Sequence, residues 1–413
     1  MRNLKNLYST QSRRKTIMNN VYFQNAMTGM SGEVIYKNNH VANIYEACTC
    51  CYDNTKTLSY LEKKAYIEKR VDAGHESILE HGRLALKIKN ISDSNLIAEV
   101  TTYEYSRFLE FYSIHREDDK YNLIVNGSIR AYKHFITNTT SDDYDRNPIV
   151  RFIHNLLIEN TVGELYGKKF VMYDDVPNFV DVESFKYENP DLYRKRIFDK
   201  TTGIQYDTVI SDKTIDIPTT NVKEPVKKVD IGIDTNYIES LADDPDVSSE
   251  VFFNIIAVTV VFKNMSRTAT HQLVRHRNAI TQESQRYVNY KNASFTIPVP
   301  EYDDEKKYPI SIFGQKKEVN LRELATELMS IYEQLTKAGL KKEEARAYLP
   351  SNVNCRRLYM TFSLTNLIAF LNLRTDTHAQ YEIRQYAIAI KDAITVTLSL
   401  FGILLKINDI KED

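Results

Sequence analysis

Apolar and polar residues repeat along this chain with two periods, close to 2 and close to 3.6, and the changes of period mark its elements. Leu84, Leu86 and Ile88 alternate with Ala85, Lys87 and Lys89, the pattern of a half-buried strand. Before it, residues 42–74 read as a largely helical stretch. Leu58, Leu61, Ala65, Tyr66 and Ile67 stand among charges there, and Gly74 stops the helix. NLIVNGSIRAYKHFI begins a strand or a helix, and residues 149–160, IVRFIHNLLIEN, are helix-like. Residues 251–266, VFFNIIAVTVVFKNMS, are β-branched and apolar and predict a buried strand. FTIPVPEY at 295–302 is an extended exit, and residues 320–340 form an amphipathic helix. The last long helix is predicted from Thr377 to Leu400, with Thr377 and Gln380 in capping-box spacing, Gly402 near its end, and Ile383, Ala387, Ile388, Ala393 and Ile394 on its core face. Residues 1–40 are polar and Asn-rich, a small strand or a loose arm. Residues 185–247 are rich in charge and proline, and read as a linker or surface insertion with short strands at best.

Two of the apolar runs resemble each other. LALKIKNIS at 84–92 and VTVVFKNMS at 258–266 share a pattern ending in Lys-Asn-apolar-Ser. The same register carries Arg275, His276 and Arg277 onto Thr101, Thr102 and Tyr103, so the first copy lacks that chemistry. The repeat predicts two related halves in tandem. The expected division is an N-terminal half over 1–184, the linker over 185–247 and a catalytic half over 248–413.

Composition narrows the class. A chain of 413 residues holds about two to three domains. The 54 Lys and Arg against 55 Asp and Glu exclude a chain-wide electrostatic drive toward nucleic acid or acidic membrane. The N-terminus has no apolar core of a signal peptide, and no apolar run reaches the ~18 residues of a membrane span, so a cytoplasmic protein is expected. The cysteines, Cys48, Cys50, Cys51 and Cys355, lack the spacing of a metal quartet and are expected to be free thiols; no metal site is expected.

The densest chemistry lies in HQLVRHRNAITQESQRYVNY, His271 to Tyr290. Arg275, Arg277 and Arg286 offer bidentate grips for phosphate beside His271, His276, Gln272, Gln282, Ser284 and Gln285. The alternative for such a run is a solvated charged turn. HESILEH at 75–81 suggests zinc at first sight, but His75 and His81 are six residues apart, about 240° around a helix of 3.6 residues per turn, and cannot share a face. NLRTDTHAQYEIRQ groups Asn372, Arg374, His378 and Arg384 at a helix start, where anions are favoured, although a capped helix with solvated arginines has the same composition. Cys355 precedes Arg356 and Arg357, which would lower a thiol pKa; nothing else supports a cysteine nucleophile.

In order along the chain, GHESILEH, QLVRHR with ESQRY, ARAYLP and FLNLRTDTHAQYEIRQYA resemble the flavin-dependent thymidylate synthase family, over roughly 42–92 and 251–405. The resemblance implies an α+β fold of mixed helices and antiparallel sheet. It implies methylation of dUMP to dTMP, with methylenetetrahydrofolate as carbon donor, reduced FAD as hydride donor and NADPH re-reducing the flavin. It implies a homo-oligomer, a tetramer with active sites between subunits, or a dimer if the halves are a true tandem. By the same resemblance Arg275 and Arg277 neutralise phosphates and polarise the pyrimidine, and His276 lies by the flavin ring. Ser77, Glu80, Asn372, Arg374 and His378 join these three around FAD. Gln272, Ser284, Gln285, Arg286, Arg346 and Arg384 bind the nucleotide, with Ser284 and Arg384 also in the catalytic set.

The chain departs from the family in two places. Six residues, NAITQE, separate RHR from Ser284 where the family usually has seven. Roughly 160 residues separate the strand after HESILEH from the strand before RHR, where the family has one strand leading almost directly to RHR; a degenerate first copy accounts for the difference. The competing reading is an inactive relative that binds nucleotide or nucleic acid through the Arg and Tyr cluster.

Overall fold

A computed structural model describes residues 23–160 and 215–399, with short breaks, and residue 403. Its strands form two five-stranded antiparallel sheets and a hairpin, and its helices pack over the sheets, an α+β fold. The first sheet contains β1 (Phe23–Gln24), β2 (Ser31–Lys37), β3 (Arg83–Ile91), β4 (Glu110–His115) and β5 (Tyr121–Ser128) in the order β1-β2-β3-β5-β4. The second contains β6 (Ile215–Ile217), β7 (Lys227–Ile233), β8 (Ala257–Ser266), β9 (Ala279–Gln282) and β12 (Asn354–Ser363) in the order β6-β7-β8-β12-β9. Strands β10 (Tyr308–Ile312) and β11 (Gln315–Val319) make the hairpin.

The helices are α1 (His40–Tyr52), α2 (Tyr60–Asp72), α3 (Ser94–Thr102), α4 (Ile129–Asn138), α5 (Pro148–Asn160), α6 (Ile238–Ala242), α7 (Ser249–Ile255), α8 (Arg267–Leu273), α9 (Leu321–Lys337), α10 (Lys342–Ala345), α11 (Leu364–Arg374) and α12 (Tyr381–Ser399). The helical stretch predicted over 42–74 is two helices. Ser59 and Glu62 make a capping box that starts α2 afresh, and Gly74, at φ +88°, ends the segment.

The run 251–266 is likewise divided. Ser248 accepts a hydrogen bond from the Val251 backbone N–H and starts α7, so the phenylalanines fall on a helix. The strand begins only at Ala257, where β-branched residues take over. The last helix starts at Tyr381 rather than Thr377. Asp376 accepts from the backbone N–H of His378, an Asx turn that holds the chain out of helix there. Asn372 and Arg374 consequently sit at the C-terminal end of α11, not at a helix start, and Arg374 complements the negative end of that helix. Within the region read as a linker, 227–233 is a full strand. Val229, Ile231 and Ile233 are buried in strict alternation, and β7 pairs with β8 along six residues. Residues 185–214 lie outside the described residues.

Strand β3 is buried on both faces. Leu84, Leu86 and Ile88 meet α5, through Ile149, Phe152 and Ile153, in the first core. Ala85 faces the other way and, with Ile35, Tyr36 and Ile124, joins the core of the second sheet. Lys87 is on that second face too, 3% exposed, and donates to Asp244 at 2.7 Å while pairing with Asp246. The alternation seen in the sequence is real, but the polar face meets the rest of the protein instead of solvent.

Candidate active site

Ser266 caps α8 by accepting from the Ala269 backbone N–H, and is fixed in turn by buried Glu382 of α12, which accepts from both the Ser266 backbone and its hydroxyl. This places the 3-10 turn Val274–His276 at the mouth of the second sheet. Arg277 follows in the left-handed region at φ 46°, a conformation sparse for a residue with a side chain and frequent at functional sites. Asn278 holds the turn by donating to the His276 carbonyl at 2.6 Å and accepting from Asn366 at 3.1 Å.

Arg374, predicted from a distant motif, reaches this turn. Its Nε–H donates to His276 Nε2 at 3.0 Å, and another of its nitrogens donates to Gln272 Oε1 at 3.3 Å; Gln272 donates to Gln380 at 2.8 Å. Burial first, and then the Arg374 charge, push the His276 pKa down, so the ring is neutral at pH 7. With Nε2 accepting, the remaining proton is on Nδ1, which is left as a donor. Arg374 is itself pushed down, by burial and by Arg275. Among the described residues no carboxylate pairs with Arg275, Arg277 or Arg374; the Arg275 charge acts on Arg374 and Arg277 caps the same turn, so the turn is cationic and suited to an anionic ligand.

Arg277 opens onto a cleft of about 1140 Å³ between the two sheets. Its far wall comes from the N-terminal half: Glu80, Arg83 and Arg130. Arg130 pairs with Glu80, and the buried Nε atoms of Arg83 and Arg130 have no hydrogen-bond partner. Arg83, Arg107, Arg130 and Arg277 line the cleft beside Glu80, Glu104 and Glu110, so it offers guanidinium donors to phosphate or carbonyl oxygen.

The other predicted residues are placed apart. Ser284, Gln285, Arg286 and Arg346 lie beyond β9, toward α10. Arg286 is 3.7 Å from Glu343, whose carbonyl accepts from Arg346. The Ser284 backbone donates to the Cys51 carbonyl, and Tyr287 stacks at a tilt on Tyr52, so this group also leans on the N-terminal half. Arg384, in the first turn of α12, donates to the Thr377 carbonyl. Asn372 is half-buried on α11, while His378 is exposed and paired with Asp376. Ser77 is exposed on the turn that carries Glu80 and is absent from the cleft lining. Arg83, Arg130 and Asn366 line the cleft without belonging to any motif. Arg83 does stand just after HESILEH, the one signal that pointed to it.

His81 joins the halves. It is fully buried, and its ring nitrogens lie 3.0 Å from Thr361 Oγ1 and 3.0 Å from Thr281 Oγ1. Burial lowers its pKa to about 3. The unfolded chain, with His81 near 6.5, takes up a proton that the native state refuses. This contribution to stability is therefore complete above pH 6.5 and falls away toward pH 3, with a slope approaching ~1.4 kcal/mol per pH unit. His81→Gln flattens that slope; urea midpoints from pH 7 to pH 4 measure it, and an unchanged slope would place the proton uptake elsewhere. Cys355 does not have the lowered pKa that its Arg neighbours suggested. Burial raises it to about 11 although Arg267 opposes the shift. A buried thiol of this kind is a poor nucleophile.

The two-sheet α+β fold thus carries a cationic turn with a neutral histidine beside a cleft lined by arginines, suited to hold an anionic ligand. Residues 205–397 match the family described as "Thymidylate synthase complementing protein". Proteins named flavin-dependent thymidylate synthase are similar to part of this chain. The one from Thermococcus onnurineus is 38% identical over 133 residues, 32% of this chain and 51% of the relative. That from Pyrococcus abyssi is 38% identical over 132 residues, 31% and 50%. That from Thermotoga neapolitana is 36% identical over 125 residues, 29% and 53%. The segment 205–397 is thus similar to the thymidylate synthase complementing family, and the chain spans about half the length of the curated relatives it matches. Among the described residues no helix is long and apolar enough to cross a membrane.

Proposed function

We propose that this protein is a flavin-dependent thymidylate synthase that converts dUMP to dTMP, with methylenetetrahydrofolate as carbon donor and NADPH as electron source. The observation that carries the reading is the hydrogen bond from Arg374 to a neutral His276, with the Arg275 charge acting on Arg374, beside a cleft onto which Arg277 opens with further arginines in its lining. FAD, when bound, supplies the hydride chemistry, and the protein's part is to bind and orient. Arg277 and the N-terminal wall, Glu80, Arg83 and Arg130, hold the flavin side, with Asn372 and Arg374 behind the turn. Ser77 and His378, both exposed, join the flavin set at its rim.

Arg275 neutralises phosphate and stabilises negative charge that develops on the pyrimidine, with its exposed guanidinium free to meet the ligand. His276, neutral, offers its Nδ1 proton as a hydrogen-bond donor near the ring system. Gln272, Ser284, Gln285, Arg286, Arg346 and Arg384 provide polar and cationic partners for the nucleotide. The chain works as a homo-oligomer. Val274 and Leu373 are exposed beside the site, Val274 next to Arg275 and Leu373 next to Arg374, and a neighbouring copy would cover them. The experiment is the absorption spectrum of the purified chain. It should be yellow, release FAD on denaturation, and change its flavin spectrum when dUMP is added. A colourless protein that takes up neither added FAD nor dUMP would be a binding module of another kind.

A further inference from the structure

The two sheets agree well beyond the short sequence repeat. With the β10–β11 hairpin set aside, both run first-second-third-fifth-fourth strand, all antiparallel, and β3 and β8, the repeated segments, are the central strands. Asn90 and Asn264, matched by the repeat, are both left-handed, at φ 61° and 57°. Ser128 caps α4 and Ser363 caps α11, each ending the fifth strand of its sheet. The next residue donates to the backbone just before the central strand in both cases: Ile129 to Gly82 at 2.9 Å, and Leu364 to Ile256 at 3.0 Å.

The contacts between the sheets are reciprocal. His81 of the first half meets Thr281 and Thr361 of the second. Asn254 of the second half meets Tyr112 and Asn126 of the first, the corresponding positions of the fourth and fifth strands. Reciprocity of this kind is what two copies of one fold show when related by a twofold rotation.

The cleft is lined by corresponding positions from both halves. Ser128 answers Ser363, and Ala131 answers Asn366. In the fourth strands Glu110, opposite Asn126, answers Ala279, opposite Thr361. Two residues earlier, Arg277 is therefore answered by Phe108, not by Tyr103 as the sequence register had it. Phe108 is 57% exposed, lines the cleft, and has the Arg107 guanidinium 4.7 Å over its ring and the His134 ring 6.4 Å away. A ring so exposed gains nothing from the core, but gives the cleft an apolar wall that a planar ring can cover.

We infer that the chain is two tandem copies of one fold, and that the cleft between them is one composite site, in which Arg277 grips the phosphate of a ring-bearing ligand while Phe108, its counterpart in the other copy, packs against the ring. The silent copy thus supplies, on the same chain, the surface that a second subunit would. This rests on the flavin reading above, and the experiment separates the two. FAD and inorganic pyrophosphate are titrated into the full chain by calorimetry, for the wild type and for Phe108→Ala, Phe108→Tyr and Arg277→Ala. One FAD binds per chain. Phe108→Ala weakens FAD binding about tenfold, Phe108→Tyr stays within about twofold, and pyrophosphate, which has no ring, binds Phe108→Ala as it binds the wild type. Arg277→Ala weakens both ligands. Unfolding by heat confirms that each variant is intact. FAD binding unaltered in Phe108→Ala but weakened in Arg277→Ala overturns the composite wall and leaves the flavin reading standing; so does a ratio of two FAD per chain. FAD binding that neither substitution changes overturns the flavin site itself, and the composite site with it.

Discussion

Arg275→Ala lowers dUMP-dependent turnover by about 10²–10³-fold, the loss typical when one fixed donor of a charge-stabilising site is removed. Arg275 is exposed, and no structural partner depends on it, so the variant keeps its fold and thermal unfolding is unchanged. Its charge depresses the pKa of Arg374, so removing it relieves a repulsion rather than breaking a pair. The loss therefore reports chemistry and not packing. Arg275→Lys keeps the charge but not the bidentate fork, and recovers only part of the rate. Steady-state dTMP formation measures both variants, and turnover equal to wild type in Arg275→Ala would put the reacting ring elsewhere.

The largest effect on stability falls at Lys87. Its ammonium is buried between Asp244 and Asp246, with Arg116 and Asn122 completing the Asp246 shell at 3.0 and 2.8 Å. Burial works against the Asp246 charge, but Lys87, Asn122 and Arg116 together outweigh it and hold the carboxyl below its usual range. Lys87→Ala leaves two acids facing each other with half their compensation gone, and costs about 3–5 kcal/mol in urea unfolding. The double variant Lys87→Met with Asp246→Asn removes charge from both sides and loses markedly less, because an apolar or neutral replacement of a whole buried pair is tolerated where half a pair is not. Equal losses in the single and double variants would show that the cluster is solvated.

Lys87 also marks what pattern alone could not reveal. An alternating Lys in a strand reads as a solvent face, and only the opposite half of the molecule, more than a hundred residues away, supplies the acids that bury it. The central strands, α9, and the helical character of 149–160 were legible because each is long and keeps one period. The breaks were not. Ser59, Ser248 and Asp376 each divert the backbone through a single side-chain hydrogen bond, a local competitor that hydrophobic period does not register.

The site divides in the same way. The RHR turn and Arg374 were found because dense motifs carry them, and the structure joins them through His276. Arg83, Arg130 and Phe108 sit in ordinary stretches, and gain meaning only when two sheets bring them across one cleft. The repeat register slipped between the third and fourth strands because the connection in the first half, α3 with its 3-10 turn, is longer than α8 with its own 3-10 turn in the second.

The reciprocal packing of the two halves has a consequence for dilution. Partners that meet as separate chains come apart at low concentration, since their association is a second-order event. Here His81 and its threonines, and Asn254 and its partners, belong to one polypeptide, so their encounter has a fixed effective concentration. The cleft they frame is assembled to the same extent in a single molecule as in a concentrated solution.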